Sequence, residues 1–214
     1  MSPSETPRSS EARERILTAA AAVFARSGFD AAGVDEIARQ AGVNKAMLYY
    51  HVGDKQALFS AVVRAYICQI KAELDPEMVR ITDPRARLAA VPRAFARVMA
   101  ARPDFPRLML RELAGGGEHL PDDALVEMGN VIGLTRSILA AGRQAGVFRE
   151  VQPLLTHLLL IQSVLFMANA EPLRIRLKRA GVIPGDLQAD PRVMADFVTD
   201  ILLHGITTPS GRAQ

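Results

Sequence analysis

The stretch Val34–His51 constrains this chain more than any other. It reads as two short helices joined by a tight turn. Val34, Ile37, Ala38 and Ala41 recur at three and four and so fall on one helical face. Gly42 follows, a residue that takes the left-handed conformation that ends a helix without a Cβ clash. Asn44 stands where its side-chain oxygen can accept from a first-turn amide and cap the second helix. Val43 and Leu48 face back toward the first helix, and the small Ala38 lets the two backbones approach. This is the pattern of a helix-turn-helix, whose second helix lies in the major groove of DNA.

The residues around it extend the match. Ile37-Ala38, Ala41-Gly42-Val43, Leu48-Tyr49, His51, and Asp54-Lys55 with Leu58 resemble the N-terminal DNA-binding segment of the tetracycline-repressor (TetR) family over roughly residues 11 to 60. Two positions depart from that family's pattern. Gly33 stands in place of a Thr that caps the first motif helix and touches phosphate, and Val52 replaces a common Phe. The first costs about a few tenths of a kcal/mol of capping and one hydroxyl; the second shrinks a core contact.

Bulk charge does not make the case for DNA. The net charge is +3 over the whole chain, yet the basic and acidic residues of 1–60 cancel. The local pattern is what matters: between Gly42 and Gly53 there is no acid, while Asn44, Lys45, Tyr49, Tyr50 and His51 offer donors suited to phosphates and base edges. Ala46 and Met47, on the first turn, suit apolar contact with thymine methyls. Lys55 would reach a phosphate from the start of the following helix.

A chain of 214 residues buries a sizeable core as one large domain or two smaller ones. Its apolar fraction of 49% with no Trp suits an all-helical protein. The single Cys68 excludes a disulfide framework within one chain, as in a reducing cytoplasm. Met1 to Ser10 lacks the apolar segment of a signal peptide and reads as a disordered leader. Leu154 to Ala170 is short for a bilayer span and is interrupted by polar residues, so it reads as a buried helix, and no membrane partner is expected.

In order, a first helix with Ile16, Ala19, Ala20, Val23 and Phe24 on one side is capped by Ser9 or Ser10 and ends at Gly28. After the motif, Asp54 caps a long helix to about Leu74, with Leu58, Phe59, Val62, Val63, Tyr66, Ile67 and Ile70 as its stripe. It serves either as a plain strut or as a lever between domains, and both readings stand. Asp75-Pro76 and Asp83-Pro84 are breaks, the second a helix start. Further helices are expected over Leu88–Met99 with Pro92 inside, over Phe105–Leu113 up to Gly115-Gly116-Gly117, from Pro121 to about Gly146, over Val151–Ala170, over Leu173–Lys178, and from Asp190. Val151–Ala170 is apolar over most of its circumference, which predicts burial on more than one side. The fold class is all-α, about nine helices. The expected boundaries are a leader at 1–10, a DNA-binding domain at 11–55, a helical domain at 56–206 and a polar tail at 207–214.

Catalytic patterns are missing. His51, His119, His157 and His204 form no metal-ligand pair at helical spacing, and there is no nucleophile elbow or phosphate-binding glycine loop. No metal and no cofactor are expected, and Cys68 reads as an ordinary thiol. Arg174, Arg176, Lys178 and Arg179 alternate with Leu173, Ile175 and Leu177 and read as a solvated helical face. His157, Gln162 and Asn169 either orient a ligand or find partners in the core.

The family resemblance implies a homodimeric, ligand-responsive regulator in the cytoplasm, a repressor that binds a palindromic operator on double-stranded DNA. It further implies that a small, mainly hydrophobic effector releases it. An effector-independent DNA-binding dimer, acting as activator or architecturally, is the alternative, with a helical enzyme a distant third. On this reading the effector pocket gathers Phe95, Met99, Phe105, Met109, Met128, Phe166 and Met167, side chains that adapt to apolar ligands. The dimer interface is expected on Leu158, Leu165, Phe197 and Ile201, from the two late apolar helices.

Overall fold

The computed structural model describes residues 7–184 and 190–209. Most of the expected leader and the end of the polar tail lie outside the described residues. Ten helices appear among the described residues: α1 (Pro7–Ala31), α2 (Val34–Ala41), α3 (Lys45–Val52), α4 (Lys55–Arg80), α5 (Pro84–Ala101), α6 (Asp104–Ala114), α7 (Asp122–Gln144), α8 (Pro153–Asn169), α9 (Glu171–Arg179) and α10 (Pro191–Ile206). The only extended pairing among them is an isolated bridge between Phe148 and Thr207.

The chain divides into two compact units, one of Met1–Ile67 with Arg107–Ala124, the other of Cys68–Pro106 with Leu125–Gln214. In the first, α1 supplies Ile16, Ala19, Ala20, Val23 and Phe24, all buried. Its regular geometry is interrupted at Gly28, whose φ of 80° lies in the left-handed region, and the chain resumes helix to Ala31. Phe24 and Phe29 pack edge-on against Phe59 of α4, with ring centroids 5.1 and 5.4 Å away. The helix begins at Pro7, so Ser9 and Ser10 lie inside it rather than at its cap.

In the second unit the core is built from Leu74, Leu88, Val91, Ile138, Leu139, Phe148, Leu160, Ile161 and Val198. Asp83 caps α5 through the amides of Arg85 and Ala86, and Asp190 caps α10 through that of Arg192; in both helices Pro occupies the first turn, where a missing N–H costs nothing. By length and composition α7 passes for a membrane span. Ile138 and Leu139 spend that apolarity on the core, while Arg136 and Arg143 break the outer surface.

Two further expectations are corrected. Helix α4 does not stop near Leu74 but runs through Pro76 to Arg80. Proline removes one backbone bond there, and Arg97 of α5 holds the turn from outside, bonding Glu73 at 2.5 Å and Glu77 at 2.7 Å. Met78, beyond the proline, packs on the core. The second correction concerns α8, which is covered on one face only within the chain: Thr156, His157, Leu160, Ile161, Val164 and Leu165 are buried, but Leu155, Leu159 and Phe166 stand exposed.

Candidate nucleic-acid interface

Helix α2 ends as its sequence dictates. Gly42 adopts φ 67° and ψ 35°, and the amides of Gly42 and Val43 donate to the carbonyls of Arg39 and Ala38 at 3.2 and 3.0 Å. Gly33 sits at the N-cap of α2 with no side chain to bond the first turn. Asn44 then caps α3, the Met47 amide donating to its Oδ1 at 2.7 Å. That bond occupies the oxygen and leaves the side-chain NH₂ as its outward donor. Ile37, Ala38, Ala41 and Leu48 are buried between the helices.

Leu48 is the one buried residue of α3. Lys45, Ala46, Met47, Tyr49 and Tyr50 are all exposed, Tyr50 at 85%. His51 is half-buried in the last turn, its ring edge-on to Tyr50 at 5.3 Å. An eight-residue helix that spends one side chain on its own core leaves the rest for something else.

Lys45, Arg26 and Lys55 are held rather than loose. Lys45 Nζ lies 2.9 Å from a carboxylate oxygen of Asp35 on α2, and that hydrogen bond and charge together raise its pKa above the ordinary lysine value. Arg26 of α1 pairs with Glu36 at 2.5 Å. Both acids of the first turn of α2 are thereby matched, so α3 and its flanks carry little uncompensated negative charge. Lys55 Nζ donates to the Asp30 carbonyl at 2.8 Å and sits 4.8 Å from the centre of the Phe29 ring. The other neighbours of Phe29 lie in the same unit: His119 stacks on it at 4.2 Å, and its Nδ1 is 3.3 Å from the buried carboxylate of Glu112. Asp54 caps α4, accepting from the Ala57 amide at 2.8 Å, and so places Lys55 in its first turn.

Sequence reasoning passed over Arg39. It is exposed, stands in the last turn of α2, and has no partner among the described residues. A recess of about 570 Å³ between α1 and α2 is lined by Glu11, Glu14, Arg15 and Gln40, a net negative wall unsuited to phosphate.

Two profiles of one family match the chain: "Bacterial regulatory proteins, tetR family" over residues 16–62 and "Tetracyclin repressor-like, C-terminal domain" over residues 84–181. The HTH-type transcriptional repressor SCO4008 of Streptomyces coelicolor is 31% identical over 179 residues, 83% of this chain and 87% of that protein. The chain belongs to the TetR family. The HTH-type transcriptional repressor NicS of Pseudomonas putida is 28% identical over 91% of this chain and 92% of its own length. The crystal structure of the TetR-family regulator PfmR from Thermus thermophilus is 26% identical, with a TM-score of 0.62 over 87% of this chain and 97% of that one. As a TetR-family member, the protein is a DNA-binding transcriptional regulator.

The other expected site residues fall as follows. Met99, Phe105 and Met109 are buried, and Phe95, Met128 and Met167 are partly so, with Phe95 packed on the core. Phe166 is 62% exposed, on the outer side of α8. Of the expected interface residues, Leu158, Phe197 and Ile201 are exposed, whereas Leu165, at 4%, faces the core of its own subunit. Thr135 and His157 bond each other at 2.9 Å in that core. Helix α9 has no fully buried residue, although the Arg174 side chain is only 16% exposed and so departs from the expected solvated face.

Proposed function

We propose that the protein is a homodimeric repressor that binds a two-fold symmetric operator through α3 and is released by a small molecule bound in its helical second unit. The observation that carries this is the α3 surface: acid-free, capped at both ends, with Lys45, Met47, Tyr49 and Tyr50 exposed and Leu48 alone buried. Asn44, Ala46, His51 and Lys55 complete the DNA-facing set, with Arg39 added as a phosphate contact. The two curated relatives named above are both repressors, which supports that direction of control.

Dimerisation is supported by the apolar side chains that α8 and α10 leave outside. Leu155, Leu158, Leu159 and Phe166 on α8 and Val193, Phe197 and Ile201 on α10 are large and exposed, and contiguous apolar surface of this kind marks an interaction site. Two-fold pairing presents two copies of α3 to half-sites one helical turn or a multiple apart. Phe166 on this reading belongs to the interface, Met109 falls in the first unit, and the effector pocket of the second unit retains Phe95, Met99, Phe105, Met128 and Met167. A ligand that shifts the spacing of the two recognition helices needs about 1–3 kcal/mol of preference for the released state to change occupancy measurably.

The test is binding of the full-length protein to duplex DNA by fluorescence anisotropy across a salt series. Tyr50→Ala and Arg39→Ala each remove a group exposed in the free protein, so folding is preserved. Affinity should fall in both, and the log–log salt slope should shrink by about one for Arg39→Ala. Wild-type affinity in both variants contradicts the placement of α3.

A further inference from the structure

The turn between α7 and α8 carries a recess of about 480 Å³ whose polar wall consists of Arg136, Arg143, Gln144, Arg149 and Glu150, with Leu139 as part of its floor and Pro153 at its edge. Three guanidinium groups face one carboxylate there, which leaves two positive charges uncompensated. Arg143 is paired with Glu150 at 2.9 Å. Arg149 donates from Nε to the Gly205 carbonyl at 2.8 Å, which leaves its terminal nitrogens free to point elsewhere. Arg136 has no partner among the described residues.

A surface turn loaded with charge is ordinarily loose, and this one is not. The Val147 amide closes back on the Gly142 carbonyl at 2.8 Å, and the Arg149 amide donates to the Ile206 carbonyl at 2.8 Å. Thr208 then bonds the turn twice, its amide to the Val147 carbonyl at 2.9 Å and its hydroxyl to the Gly146 carbonyl at 2.6 Å. Phe148 is buried beneath it. The backbone that carries Arg143 and Arg149 is thus fixed in advance, which lowers the ordering cost of binding. The first turn of α8 begins at Pro153 and adds the positive end of its dipole to the same rim.

We infer that this recess is a second ligand site, for a small phosphorylated molecule. Its volume lies in the range of small-molecule pockets, and above a floor that includes Leu139, Ala140 and Val151 its charged groups are net cationic, so an anion is the fitting occupant. Arginine forks bind phosphate and carboxylate alike. A phosphate monoester presents three terminal oxygens and about two negative charges near neutral pH, matching three guanidiniums and two uncompensated charges. Glu150 is the built-in competitor: it holds Arg143 until an anion displaces it. The inference stands apart from the repressor reading, since neither DNA nor an apolar effector is needed for it.

The test uses the full-length protein at low salt, with thermal melting and calorimetric titration by glucose 6-phosphate, inorganic phosphate and succinate, and sodium chloride at matched ionic strength as the control. The site predicts a saturable rise in Tm with both phosphates beyond that given by chloride. Arg136→Ala, at an exposed residue with no partner to lose, should weaken glucose 6-phosphate binding about tenfold while leaving the melting temperature of the free protein unchanged. Glu150→Gln should tighten binding, because it frees Arg143. A response no larger than that of chloride overturns the site. Equal binding by Arg136→Ala and wild type overturns its location, and a response to succinate alone overturns the phosphate assignment.

Discussion

Lys45 of α3 and Asp35 of α2 form an ion pair at 2.9 Å on the face that the recognition helix presents outward. The pair is open to solvent on both sides, so it contributes little to stability. Its consequence is for binding: a phosphate that engages Lys45 must take it from Asp35. Asp35→Asn should therefore raise affinity for duplex DNA of any sequence. Lys45→Ala should lower affinity and flatten the salt dependence by about one phosphate contact. Anisotropy titrations at three salt concentrations measure both, and weaker binding by Asp35→Asn would show that the carboxylate orients Lys45 rather than competing for it.

Oligomerisation separates apolar positions that look alike in the sequence. Phe197→Glu and Ile201→Glu place charge on the exposed outer surface of α10 and should yield folded monomers in sedimentation equilibrium. Leu165→Glu places charge in the subunit's own core and should unfold the chain, since a buried unpaired carboxylate has no compensation. A folded, monomeric Leu165→Glu would contradict this assignment of faces.

That distinction explains where the sequence was legible and where it was not. The recognition motif was legible because its determinants are local: Gly42 must turn, Asn44 must cap, and Leu48 is the apolar residue that returns to α2. Helix α8 is apolar nearly all round, so periodicity cannot say which side meets the chain's own core, and Leu165 was assigned to the wrong one. The same blindness put Phe166 in a pocket although its ring is exposed. Pro76 illustrates a local rule overridden from outside, by Arg97 on the neighbouring helix. Lys55 was recognised as a first-turn cation, but its bond to the Asp30 carbonyl depends on how α1 resumes after Gly28, which no local signal specifies.

The turn after α7 depends on close contact between Gly142 and Phe148. A Cβ on Gly142 would stand 2.2 Å from Cδ2 of the Phe148 ring, a buried side chain that cannot step aside freely. Gly142→Ala should cost about 1–3 kcal/mol through overpacking, and Phe148→Ala about 3–5 kcal/mol through the cavity it leaves. Urea unfolding measures both. A Gly142→Ala variant as stable as wild type would mean that the turn is free to move.

Acid should act through His157. Burial holds its pKa below the ordinary histidine value, and Thr135 bonds its Nδ1 in the core. The unfolded chain therefore takes up a proton at higher pH than the folded one. This contribution to stability is complete above about pH 6.5 and is lost as pH falls from there through the lowered folded value. Urea midpoints for wild type and His157→Gln, compared between pH 8 and pH 5, should show a steeper loss in wild type; parallel curves would place the proton elsewhere.

The central claim is that paired copies of α3 read DNA. Selection of bound sequences from randomised duplex DNA by the full-length protein, followed by hydroxyl-radical footprinting on the recovered site, tests it most directly. The account predicts a palindrome with two protected half-sites whose centres lie about 10–10.5 base pairs apart or a multiple of that. It also predicts no enrichment with a Lys45→Ala, Tyr50→Ala double variant that sediments as a dimer. Recovery of no common sequence by the wild type, or of the same palindrome by the double variant, would contradict it.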